Sequence, residues 1–239
     1  MLGRFLEISI HTPDIQDSLA FYEGLGFVQA TVGDTWSHQY AVVTDGHLFI
    51  GLHGRPCPPI ALTYVQPELA RHAEKLLSLG IVFEREQLDS DAFNEASFSD
   101  PLGLHVNVLE ARTFSPPDLP LNYQSTCGYF AELGVPVREF DIGRDFWEAL
   151  GFVGLEPTTD PFARLSLTSN LVNLGLYKSR ALRQSVLTFE DTDMPERLAR
   201  LRERKFRLTD EMPDSLDAAR NAVLIAPEGT RLLLLSADD

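Results

Sequence analysis

Leu6, Ile8 and Ile10 alternate with Glu7, Ser9 and His11 in FLEISIH, the period of two that turns one strand face toward a core. A short helix follows in DSLAFYEGLGF. Leu19, Phe21, Tyr22 and Leu25 are its apolar positions, Asp14 or Asp17 opens it, and Gly24 and Gly26 stop it. HQYAVVT and HLFIGLH then read as two strands joined around Asp45-Gly46, a strong hairpin signal. The next stretch keeps the same order. IALTYV is a strand and ELARHAEKLLSLG a helix closed by Gly80. IVFEREQ, EASFS and LHVNVLE follow, the last two separated by the turn Asp100-Pro101-Leu102-Gly103.

The whole pattern then recurs. Phe5-Leu6-Glu7 returns as Phe130-Ala131-Glu132, and Phe21-Tyr22-Glu23-Gly24-Leu25-Gly26-Phe27 as Phe146-Trp147-Glu148-Ala149-Leu150-Gly151-Phe152. Pro101-Leu102-Gly103 returns as Pro227-Glu228-Gly229. Such self-similarity marks a duplicated architecture. YFAELGV, DFWEALGF, ARLSLTS and LVNLGLY make a third unit; VLTFED, PERLARLRERKF, AVLIAP and TRLLLLS make a fourth. The expected class is α+β, with four βαβββ modules at about residues 3–56, 57–112, 126–180 and 184–237. They group into domains 1–113 and 126–239, and the proline-rich FSPPDLPLNYQS (114–125) reads as the linker between them. A chain of 239 residues fits one large domain or two small ones, and the repeat favours two.

Charge narrows the partners. The formal net charge of −15 opposes phosphate backbones, which excludes nucleic acid. The basic run from Arg197 to Arg207 is interleaved with Glu203 and reads as a solvated helix face. No apolar run reaches the roughly 18 residues that span a bilayer, and the opening residues lack a secretory pattern, so a cytoplasmic protein without membrane contact is expected. Cys57 and Cys127 form no metal or redox spacing. All six histidines (11, 38, 47, 53, 72 and 105) lie in the first half, so imidazole chemistry belongs there.

The run from Asp14 to Phe27 and the turn Asp100-Pro101-Leu102-Gly103 resemble the vicinal oxygen chelate superfamily, which holds glyoxalase I, extradiol dioxygenases and bleomycin-resistance binding proteins. The resemblance implies two glyoxalase-like domains. Each is a pair of modules whose curved mixed sheets form an open cup with helices outside. It also implies metal ligands on the first and last strands of each module, typically His, Gln or Glu on the first and Glu on the last. Those positions fall here on Glu7, Gly51, Ala61 and Asn107 in the first half, and on Glu132, Gly175, Val186 and Leu233 in the second. Gly, Ala, Val and Leu offer no side-chain donor. One glutamate per copy survives, so no metal or other cofactor is expected.

Strand parity selects the residues of the first cup. Leu104, Val106 and Val108 face the helices, which turns His105 and Asn107 inward; Leu48, Ile50 and Leu52 do the same for Phe49, Gly51 and His53. Glu7, Ser9 and Thr63 join them. The expected catalytic groups are Glu7, as a general base, and His105. The expected substrate-binding groups are Ser9, Trp36 in the loop GDTWSH, Phe49, His53, Thr63 and Asn107. The leading reading is a bleomycin-resistance-like small-molecule binding protein or metal-independent enzyme with its ligand in the first cup. The alternative is a metal-dependent lyase or dioxygenase holding Zn, Fe or Mn on relocated ligands Glu7, His53 and His105. The second half reads as degenerate, its cup closed by an Arg231–Glu132 pair. The expected assembly is either a monomer with pseudo-dimeric tandem domains or a homodimer.

Overall fold

Asp14 is the residue that opens the first helix. Its carboxylate accepts the backbone N–H groups of Gln16 and Asp17, two donors that a helix start otherwise leaves unpaired. The computed structural model describes residues 2–31, 38–89, 93–111 and 125–237. Trp36 and the proposed linker, apart from Ser125, lie outside the described residues.

Each module has the order strand, helix, three strands. The first comprises β1 (Arg4–His11), α1 (Ile15–Gly24), β2 (Val28–Ala30), β3 (Tyr40–Thr44) and β4 (Phe49–His53). The second comprises β5 (Ile60–Gln66), α2 (Leu69–Ser78), β6 (Arg85–Gln87), β7 (Glu95–Ser99) and β8 (His105–Glu110). The third runs through β9 (Tyr129–Pro136), α3 (Phe140–Ala149), β10 (Val153–Gly154), β11 (Arg164–Thr168) and β12 (Leu174–Tyr177). The fourth runs through β13 (Val186–Asp191), α4 (Met194–Glu203), β14 (Leu208–Thr209), β15 (Ala222–Ile225) and β16 (Arg231–Ser236).

Modules of the same half share one eight-stranded mixed sheet, in the order β2-β3-β4-β1-β5-β8-β7-β6, and the second half repeats it as β10-β11-β12-β9-β13-β16-β15-β14. The central seam is the antiparallel pair β1–β5, flanked by parallel β4 and β8. That order brings the first and last strands of both modules side by side in the middle of the sheet. One face carries Ile8, Ile10, Ile50, Leu52, Leu62, Val106 and Val108, all without solvent exposure and packed with Leu19, Tyr22, Leu69 and Leu76 of the helices. The residues of opposite parity form the concave face.

The halves meet through the helix-bearing faces. A single apolar cluster takes in Tyr22, Phe27 and Phe98 from one half and Trp147, Phe152 and Phe189 from the other. Phe21 and Phe206 meet edge-on with ring centroids 5.7 Å apart. Two turns fasten this contact reciprocally. Asp100 Oδ1 accepts the N–H groups of Leu102 and Leu104, and its Oδ2 accepts Trp147 Nε1–H of α3 at 2.9 Å. In the equivalent turn of the other half, Glu228 accepts Tyr22 O–H and Ser18 O–H of α1, each at 2.8 Å. Tyr22 and Trp147 are the equivalent residues of the repeat, so each half's last turn grips the other half's first helix. No described helix is long and apolar enough to cross a membrane.

Candidate functional site

The centre of the first concave face is a carboxylate. Glu7 is 1% exposed and is held by three donors: Ser9 Oγ–H to Oε1 at 2.8 Å, His53 Nε2–H to Oε1 at 2.9 Å, and Tyr40 O–H to Oε2. Burying a carboxylate is costly without such partners, and together they fill three of its roughly four acceptor directions. The strand order explains the convergence. Ser9 of β1 lies in register with Gly51 of β4, while Tyr40 of β3 lies opposite His53 of β4. The carboxylate fits because residue 51 is glycine: a Cβ there would stand 2.1 Å from Glu7 Oε1.

The network extends in both directions. His38 Nε2 lies 3.0 Å from His53 Nδ1. Burial, with Arg55 and His53 nearby, pulls the His38 imidazole down to about 4, so it is neutral at physiological pH. On the other side Ser9 Oγ lies 2.6 Å from Thr63 Oγ1, which accepts from Asn107 Nδ2 at 3.2 Å.

Over this floor lies a cavity of about 540 Å³. Of the sequence-predicted site residues, Ser9, His53, His105 and Asn107 line it. Thr63, with no exposure, sits beneath as a link between Ser9 and Asn107. Glu7 also lies beneath the lining and meets the cavity through Ser9 and His53. Phe49 shares the face of Gly51 and His53 but stands at the other end of β4, opposite Thr44 and away from the lining. His105 Nδ1 is 3.3 Å from Ser99 Oγ and 3.4 Å from Glu84. Arg55, Cys57, Arg85, Glu95 and Ser97 complete the polar lining; Arg85 is paired with Glu95 at 2.6 Å. Burial pushes the Cys57 thiol up, with Arg55 acting against it, so at neutral pH it is a thiol rather than a thiolate.

Sequence reasoning missed Tyr40 and His38. The signal was present: residues 38 and 40 share a strand face, and a hairpin around Asp45-Gly46 places Tyr40 against His53. Among the described residues no group of three or more His, Cys, Asp and Glu side chains is arranged to hold a metal ion.

The second concave face repeats the carboxylate and covers it with apolar side chains. Glu132 Oε1 accepts Tyr177 O–H at 2.8 Å, and the same hydroxyl lies 2.8 Å from Thr188. Gly175 again leaves the room: a Cβ there would lie 2.4 Å from Glu132 Oε1. Burial raises the Glu132 carboxyl above its usual range, against the hydrogen bonds from Tyr177 and Ser166 and the charge of Arg164. Above it Phe162, Leu182, Val186, Met212, Val223, Leu233 and Leu235 pack into a second apolar cluster with Tyr177. The expected Arg231–Glu132 pair does not form. Arg231 bonds Glu211 at 2.6 Å instead, and the cation paired with Glu132 is Arg164 at 3.8 Å.

No protein-family model and no curated protein matches the chain. Its structure is similar to that of catechol 2,3-dioxygenase, with TM-score 0.60 and 15% identity over 97% of this chain and 86% of that one. It is also similar to homoprotocatechuate 2,3-dioxygenase from Brevibacterium fuscum, with TM-score 0.63 and 16% identity over 99% of this chain and 72% of that one. The 3,4-dihydroxyphenylacetate complex of that enzyme gives TM-score 0.64 at 15% identity, covering 99% of this chain and 81% of that one. At such identities the likeness is one of fold alone.

Proposed function

We propose that this chain, built on the vicinal oxygen chelate fold, is a small-molecule binding protein whose ligand occupies the first cup without a metal ion. The observation that carries the reading is the position of Glu7. Its carboxylate fills the space that a side chain at residue 51 needs, and it is held there by Ser9, His53 and Tyr40. The donors present do not fit a divalent ion. Both nitrogens of His53 lie at hydrogen-bond distance from protein partners, and His105 Nδ1 is turned to Ser99 and Glu84. A metal centre needs three or four donors converging on one point. The cavity of about 540 Å³, with several polar groups on its floor, has the size and character of a small-ligand site.

In this reading Glu7 is a positioning residue. It fixes His53 with Nε2–H toward the carboxylate, and it reaches a ligand only through Ser9 and His53. Chemistry at a bound ligand falls to the groups on the lining, His105 foremost.

The test is metal analysis of protein purified without chelator, read together with amide chemical shifts of Ser9, Ala61 and Asn107 during a screen of small molecules. Expected are far less than one metal ion per chain and ligand-induced shifts at those amides. The superfamily alternative, a metal-dependent lyase or dioxygenase on Glu7, His53 and His105, draws support from the dioxygenases among the similar structures. One zinc, iron or manganese per chain, lost in His53→Ala and His105→Ala, would replace the metal-free reading with that one.

A further inference from the structure

Each hydroxyl proton between Glu7 and Asn107 has only one place to go. Ser9 has a single hydroxyl proton, and it is given to Glu7 Oε1. Ser9 Oγ therefore accepts in its 2.6 Å contact with Thr63, so the Thr63 proton points at Ser9. Thr63 Oγ1 in turn can only accept from Asn107, which commits the NH₂ end of that amide to Thr63 at 3.2 Å. A carboxylate accepts and does not donate, a hydroxyl has one proton, and an amide has one end of each kind. The buried charge of Glu7 thus sets the orientation of Asn107 three hydrogen bonds away. Asn107 lines the cavity, and its hydrogen bond to Thr63 is its one side-chain bond among the described residues; that bond uses one of the two Nδ2 protons and leaves Oδ1 as the acceptor that a ligand must satisfy.

Resting on the reading of this cup as a ligand site, we infer that its ligand is a small molecule whose buried end is a hydrogen-bond donor, a hydroxyl or an amine, accepted by Asn107 Oδ1. A ligand end with acceptors alone, such as an ether, carbonyl or carboxylate oxygen, is disfavoured at this point: the second Nδ2–H can donate to it, but the desolvated Oδ1 is left without a partner. Specificity is therefore set from behind the site. Glu7, Ser9 and Thr63 do not touch the ligand group, yet they hold the amide that reads it.

Matched one-ring probes test this: phenol and aniline as donors, anisole and benzaldehyde as acceptors without a donor. Affinities are read from the amide shifts of Ala61, Ser97 and Asn107. The donors should bind about tenfold or more tighter than the acceptors. In Asn107→Leu that preference should vanish. In Thr63→Val the amide is free to turn around, and the preference should fall to within about threefold. Equal binding of the two classes to the wild-type protein, or a preference unchanged in Asn107→Leu, would overturn the inference and leave the cup as a ligand site. Absence of cavity shifts with all four probes would overturn both.

Discussion

At the scale of single residues, the decisive substitution is glycine at 51. Gly51→Ala drives a methyl group into the Glu7 carboxylate, which has no room to retreat between Ser9, His53 and Tyr40. Overpacking of this kind costs about 1–3 kcal/mol, measurable as a shift in urea midpoint at unchanged slope. Adding Glu7→Ala should recover part of that loss, giving a coupling of about 1 kcal/mol or more in the double-mutant cycle. His38 supplies a second test. Its folded imidazole titrates near 4 and its unfolded one near 6.5, so between those pH values the unfolded chain carries more protons. The His38 contribution is whole above pH 6.5 and is lost as pH falls toward 4. Wild-type protein should therefore lose more stability than His38→Gln between pH 7 and pH 4, as followed by thermal unfolding at each pH.

At the scale of elements, the two gripping turns hold the halves together. Asp100→Ala strands the N–H groups of Leu102, Leu104 and Trp147; Glu228→Leu removes the acceptor of the buried Tyr22 and Ser18 hydroxyls, of which Ser18 keeps Thr12 at 2.8 Å. Each unpaired buried donor costs about 1–3 kcal/mol, so Asp100→Ala should be the more destabilising of the two in chemical denaturation. Much of this architecture is legible in the chain. Strand parity separates Val106 and Val108 from His105 and Asn107, and the repeat aligns Tyr22 with Trp147. The filled second cup is legible too, in a signal that ligand counting passes over. RLLLLS is apolar at both parities; Leu232 and Leu234 join the main core while Leu233 and Leu235 fill the cup. HVNVLE, its counterpart, alternates. What the sequence does not disclose is which modules pair, because the β1–β5 seam joins strands about fifty residues apart whose patterns would suit other partners equally well. Tyr40 is different: it lies within one module, and the hairpin at Asp45-Gly46 is enough to set it against His53.

At the scale of the whole molecule, the larger apolar cluster runs through both halves, so each half shares its main core with the other. Unfolding in urea should be a single transition, with far-UV circular dichroism and the fluorescence of Trp147, buried at the junction, tracing the same curve. Two separated transitions would mean that the junction contributes little. The duplication has also treated its two cups differently. Both keep a glutamate seated on a glycine, but Phe162, Met212, Leu233 and their neighbours plug the second, while the first stays open. Saturation of the protein should accordingly follow a plain hyperbola with a stoichiometry of one and a Hill coefficient of one. Although the gene product carries its scaffold twice, the apolar side chains over Glu132 leave, among the described residues, no twin vacancy whose occupancy would tune the other side.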